Sequence, residues 1–247
     1  MSLESRLLDA IETHSVHDIR ATLGAGISAV EPIEGFTPIE YLTSGYLRSD
    51  RFADCLRELM NAGASLSDTA VKAALLDDEM ALEAMLQSSG TGLLHRTIHL
   101  RAAFTSCLGV TLLHLCAEFN SSRCARVLLD AGADVNARAD IDADGFGGHS
   151  PVFHAVNSIH NYCRPVMELL VERGATLDVR VAGLLWGQNM DWETVVVDAT
   201  PLSYAQCGLY RQFHRREVDV YSNLTYLYER RYGHLLRVPN VPNRYLA

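Results

Sequence analysis

The chain has 247 residues, 48% of them hydrophobic, which is enough to bury a substantial core and argues against disorder along its length. Its 30 acidic and 21 basic residues give a formal net charge of −9, which argues against general affinity for nucleic acid or anionic membranes, because phosphate neutralisation needs surplus Lys and Arg. No stretch reaches the roughly 18 consecutive apolar residues of a membrane span, and Glu4, Arg6, Asp9 and Glu12 interrupt the start where a signal peptide needs an unbroken apolar run. A soluble, cytoplasmic protein is expected. Cysteines 55, 107, 116, 124, 163 and 207 lack the close spacing of a disulfide framework, so reduced and mostly buried thiols are expected.

In chain order, Leu7 to Gly26 reads as a degenerate first helix pair. Phe36-Thr37-Pro38-Ile39 opens a second, with Thr37 as helix cap and Pro38 in the first turn, and Asn61-Ala62-Gly63-Ala64 closes it. TAVKAALLDDEMALEAMLQSSG, up to Gly90, predicts two short amphipathic helices around Asp77-Asp78. Thr111-Leu112-Leu113-His114 opens the best-formed pair, whose second helix stops at Gly132, a residue that tolerates the left-handed conformation. Ser150-Pro151-Val152-Phe153 opens a similar pair ending at Gly174, and Ala199-Thr200-Pro201-Leu202 opens the last. Before it, VRVAGLLWGQNMDWETVVVD is rich in Val and Trp around Gly187-Gln188-Asn189 and predicts an inserted β-hairpin. The tail RVPNVPNRYLA cannot continue a helix through Pro239 and Pro242, so it is expected to be extended.

Thr111-Leu112-Leu113-His114-Leu115-Cys116-Ala117, followed by Gly132-Ala133-Asp134-Val135-Asn136-Ala137, resembles the ankyrin repeat, a T-P-L-H-x-A turn and helix followed by a second helix and a G-A-D-V-N loop. Weaker copies extend the resemblance over most of the chain. It implies an all-α fold, an ankyrin-type helical solenoid of about six repeats, into which the Val- and Trp-rich segment places a β-hairpin between the last two. The expected organisation is one solenoid over residues 1–235 by resemblance, with the insertion at about 179–198 and an extended tail at 236–247 read from the residues themselves. The resemblance also implies that His114 ties adjacent turns together by hydrogen bonds and that Cys116 fills a small-residue slot between helices.

By the same resemblance the function is specific protein binding on the concave side, through the turns before each first helix and the exposed end of that helix. Carried over residue by residue, this places Phe36, Val110 and His149 just before the capping residues, and Ser44, Glu118, Phe119, Asn157 and Ser158 late in the first helices. Phe36 and Phe119 have a second reading as padding of the inter-repeat core, since aromatics do both. Trp186, Met190 and Trp192 complete the candidate protein-binding set, because Trp is enriched at interface hot spots and loops on rigid scaffolds carry function. The alternative for these rings is that they fold back over the last repeats and seal their edge.

Other motifs fall short of a chemistry. Asp140-Ile141-Asp142-Ala143-Asp144-Gly145 starts like an EF-hand loop, but the closing bidentate Glu is replaced by Pro151, so an acidic surface finger is expected. His95 and His99 would share a helix face at zinc-binding spacing, yet lack the intervening Glu and further ligands. His114 beside Cys116 lacks the pocket and third group that a nucleophilic thiol requires. The segment from Gly208 onward carries seven Arg against Glu217, Asp219 and Glu229, a basic end on an acidic body. The expectation is therefore a non-catalytic scaffold or adaptor with an unidentified protein partner and no cofactor, metal, nucleic acid, membrane or small-molecule substrate. The rival class is a calcium-regulated switch or an enzyme built on the same scaffold.

Overall fold

A computed structural model of the chain describes residues 2–102, 104–188 and 190–236. The tail expected to be extended lies outside these residues from 237 onward, as does Asn189 of the expected hairpin turn. The helices pair in chain order: α1 (Leu3–Glu12) with α2 (Val16–Gly24), α3 (Pro38–Ser44) with α4 (Phe52–Asn61), and α5 (Thr69–Leu76) with α6 (Glu79–Ser89). A single turn, α7 (Gly92–His95), leads into strands β1 (Ile98–Leu100) and β2 (Cys107–Val110). Then come α8 (Leu112–Phe119) with α9 (Ser122–Asp130), and α10 (Pro151–Ala155) with α11 (Arg164–Glu172). Strands β3 (Val181–Trp186) and β4 (Thr194–Ala199) precede α12 (Pro201–Gln206) and α13 (Glu217–Tyr232).

Local chemistry sets these boundaries. Thr37 and Thr200 accept the N–H groups of Glu40 and Ser203, whose side chains reach back to the Thr37 and Thr200 N–H, so each helix starts with a reciprocal cap. Pro38, Pro151 and Pro201 occupy the first turn, where a missing N–H leaves no bond unmade. After α9, Gly132 takes φ +93°, and the Ala133 N–H turns back to Leu128 O at 2.9 Å. First helices pack on first helices (α1 on α3, α5 on α8, α8 on α10, α10 on α12), and second helices on second helices (α2 on α4, α6 on α9, α9 on α11). The core between them is one apolar cluster that includes Leu42, Leu56, Leu82, Leu113, Leu128, Phe153 and Leu170.

The described residues are mostly helical with two small antiparallel sheets, one sheet more than the single inserted hairpin expected. The β3–β4 hairpin lies at the expected place, paired from Val181 with Ala199 to Trp186 with Thr194. The β1–β2 ladder was not expected. His95 and His99 consequently share no helix face: His95 ends α7, and His99 stands on β1 opposite Leu108. Thr97-Ile98-His99-Leu100 alternates polar and apolar residues, a period of two rather than 3.6. The finger at residues 140–148 turns back on itself through Asp142 Oδ1, which accepts the Asp144 and Phe146 N–H groups. It docks on β3, where the Gly147 N–H donates to Gly183 O at 2.9 Å and the Phe146 ring occupies the space a Cβ on Gly183 would need.

Candidate functional site

The ends of the first helices, expected to face a partner, are covered by the protein itself. Val110, Glu118, Phe119, His149 and Trp186 are buried, as are Ser44, Asn157 and Ser158. Arg48, from the segment between α3 and α4, lies over the Phe119 ring at 4.7 Å and donates to Glu118 Oε1 at 3.1 Å. Arg215 Nε donates to Asn157 O at 2.8 Å, and Asn157 Nδ2 donates to Tyr204 O at 3.2 Å. Above them sits an aromatic cluster in which Trp186 stacks on Phe213 at 3.9 Å and on Phe104 at 5.8 Å. These eight side chains therefore belong to the interior rather than to an exposed contact face. The insertions carrying Phe104, Trp186 and Phe213 fill the hollow that the helix ends would otherwise line.

The remaining three candidates, Phe36, Met190 and Trp192, are half-buried and meet in one open groove of about 420 Å³. Leu8 and Ile11 of α1 and Tyr41 and Tyr46 of the α3 region form its wall, with Met190 and Trp192 from the hairpin tip opposite. The rings are held in place. Tyr46 makes edge contacts with Trp192 at 6.0 Å and Phe104 at 5.1 Å, while its hydroxyl donates to Phe213 O and accepts from Arg215. Phe36 packs edge-on against Tyr41, and the Arg101 guanidinium lies over its face at 3.5 Å. Glu12 and Glu34 stand at the rim. Sequence patterning missed Tyr46 and Arg101; the only signal for them was an aromatic and a basic residue just beyond predicted elements.

Beneath the covered helix ends runs a buried polar chain. Arg48 donates to Thr43 O, Gly45 O and Leu47 O as well as to Glu118, and Glu118 Oε2 stands 3.0 Å from His154 Nδ1. His154 Nε2 lies 3.0 Å from His149 Nε2, which also faces Ser106 O at 3.1 Å. A proton on His149 Nε2 and another on His154 Nδ1 satisfy the three contacts together. His114 accepts at Nδ1 from the Thr111 N–H and donates from Nε2 to His149 O, so it ties adjacent turns together. Burial, then the neighbouring His154, pushes the His114 pKa down to about 3, and burial holds His149 well below the ordinary imidazole value.

Both rings thus fold neutral, whereas an unfolded imidazole titrates near 6.5. The stability they carry is complete above about pH 6.5 and is lost as pH falls below it, down to about 3 in the case of His114. The urea midpoint is expected to stay level near neutrality and to fall steeply below about pH 6, with the slope reduced by about one proton in His114→Gln. A midpoint indifferent to pH between about 6.5 and 5 would contradict the two neutral rings.

The thiols are placed for packing. Burial pushes Cys116 and Cys107 well above the ordinary thiol value, which leaves little nucleophilic thiolate. Among the described residues, no three His, Cys, Asp or Glu side chains group to hold a metal ion, and no helix is long and apolar enough to cross a membrane. No curated protein matches the chain. Residues 108–140 match the ankyrin repeat family model, a span that takes in most of β2, all of α8 and α9, and the start of the acidic finger. Residues 108–140 of the chain therefore carry an ankyrin repeat, the one repeat that is detected.

Proposed function

We propose that the six helix pairs form an ankyrin-type solenoid acting as a non-catalytic interaction module, with the aromatic groove between α1, α3 and the hairpin tip as its binding site. One observation carries this reading. Phe36 and the pair Met190 and Trp192, about 150 residues apart in sequence, converge on one open groove instead of being sealed in the core. Large rings supply anchor pockets for a partner, and Met adapts its shape to what it meets. The occupant that fits is a short apolar segment of a protein carrying Lys or Arg. The segment 2–46, part of which forms one wall, contains seven acidic residues against two basic ones, and Arg101 is already engaged by Phe36. The non-catalytic reading accords with thiols that burial holds well above the ordinary thiol value, which leaves little nucleophilic thiolate.

The test is a photoactivatable side chain placed at position 190, followed by identification of the cross-linked peptides. Basic-apolar segments are expected, and Phe36→Ala combined with Met190→Ala is expected to weaken capture by roughly tenfold or more while the melting temperature holds within about 2 °C. Acidic cross-linked segments, or capture indifferent to the double variant, would count against the groove.

A further inference from the structure

The hairpin has a second surface that the groove does not use. The outer edge of β3 is already engaged: Gly183 O accepts from Gly147, Phe104 O accepts from Gly187 just beyond the strand, and Thr105 bridges to Trp186. The outer edge of β4 pairs with no strand among the described residues. Over Thr194-Val195-Val196-Val197 this edge carries no charge and no Pro, two of the devices that protect a bare edge; charge enters only at Asp198, where the backbone turns to φ +52° and the carboxylate pairs with Arg180. Val196 is buried against the core, while Val195 and Val197 are 49% and 69% exposed on the other face. Alongside this edge runs an open groove of about 430 Å³ between Val195–Asp198 and residues Ser203, Gln206, Leu209 and Tyr210. Leu209 and Tyr210 also expose apolar surface.

We infer that this edge receives an extended peptide segment of a partner protein, which adds to the β3–β4 sheet as a third strand. An unpaired strand edge offers backbone donors and acceptors at the spacing of another strand, so the occupant's main chain supplies the hydrogen bonds. The extended run over residues 194–197, before the turn of the backbone at Asp198, matches a segment of about four residues. Alternate side chains of that segment fall toward Leu209 and Tyr210, which selects β-branched or aromatic residues at every second position. The intervening positions face water and are free to be polar.

The experiment pans a displayed random octapeptide library against the full chain and against two variants, V195K/V197K and the shape-conserving V195T/V197T. Enriched peptides are expected to alternate apolar β-formers with polar residues and to protect the β4 amides from hydrogen exchange. Binding is expected to drop tenfold or more in V195K/V197K, less in V195T/V197T, and to survive Phe36→Ala with Met190→Ala, which separates this edge from the aromatic groove. N-methylation of an enriched peptide at the edge-facing amides should abolish binding, whereas methylation at the outward amides should not. Peptides without alternation, equal tolerance of both methylation patterns, or dimerisation of the chain through β4 in competition with the peptide would each overturn the assignment.

Discussion

Glu118→Ala is expected to lower the unfolding free energy by about 3–5 kcal/mol, because it leaves a buried guanidinium without its counter-charge. The Arg48 and Glu118 side chains are only 1% and 2% exposed, so both charges sit in the interior. Its remaining acceptors, Thr43 O, Gly45 O and Leu47 O, are neutral carbonyls that fix its position without neutralising it. The same substitution strips His154 of the carboxylate at its Nδ1. Removing both charges should be far milder than removing one: Arg48→Met with Glu118→Leu is expected to regain most of the loss, since apolar replacements of a buried pair are often near neutral. Urea unfolding of the two single variants and the double variant measures the coupling. A Glu118→Ala loss below about 1 kcal/mol would mean that water reaches the pair and that it holds little of the fold together.

That ion pair marks where sequence reading stops. Arg48 and Glu118 are 70 positions apart, and nothing local to either residue names its partner. The helix pairs were legible because their signals are local: Thr37-Pro38, Ser150-Pro151 and Thr200-Pro201 open helices and Gly132 and Gly174 close them, whatever lies elsewhere. The β1–β2 ladder was not, since a three-residue strand offers too few positions for a period of two to stand out from helix. The covering of the helix ends followed from the same limit. Concave-face residues carried over from the family assume an empty hollow, and here Phe104, Trp186 and Phe213 enter it from three separate segments. Phe36, Met190 and Trp192 proved to be neighbours, although their shared groove depends on Tyr46 and Arg101, which no pattern singled out.

The two tryptophans show how a finer reading divides the hairpin, and they set the second large effect. Leu184 and Trp186 share a face of β3 with Val196 across the ladder, so strand alternation itself sends Trp186 inward; Trp192 lies in the turn, outside any alternation, and stays half-buried. Trp186→Ala is accordingly expected to cost about 3–5 kcal/mol, the range for deleting a large ring from a packed core. The ring is 1% exposed and holds Phe213, Phe104 and Trp192 around it, so its loss also removes the support on which Trp192 stands in the groove wall. Trp186→Phe should cost about 1–2 kcal/mol, because it keeps a ring against Phe213 and gives up an Nε1–H that meets no acceptor among the described residues. Trp186→Ala leaves Trp192 as the sole tryptophan, and its emission should shift to longer wavelength as the hairpin tip becomes wetter. Urea unfolding followed by circular dichroism and by this fluorescence checks both effects. If Trp186→Ala melts like the parent while capture of a partner fails, the ring belongs to an interface and the aromatic cluster is not the clamp that holds the hairpin to the helices.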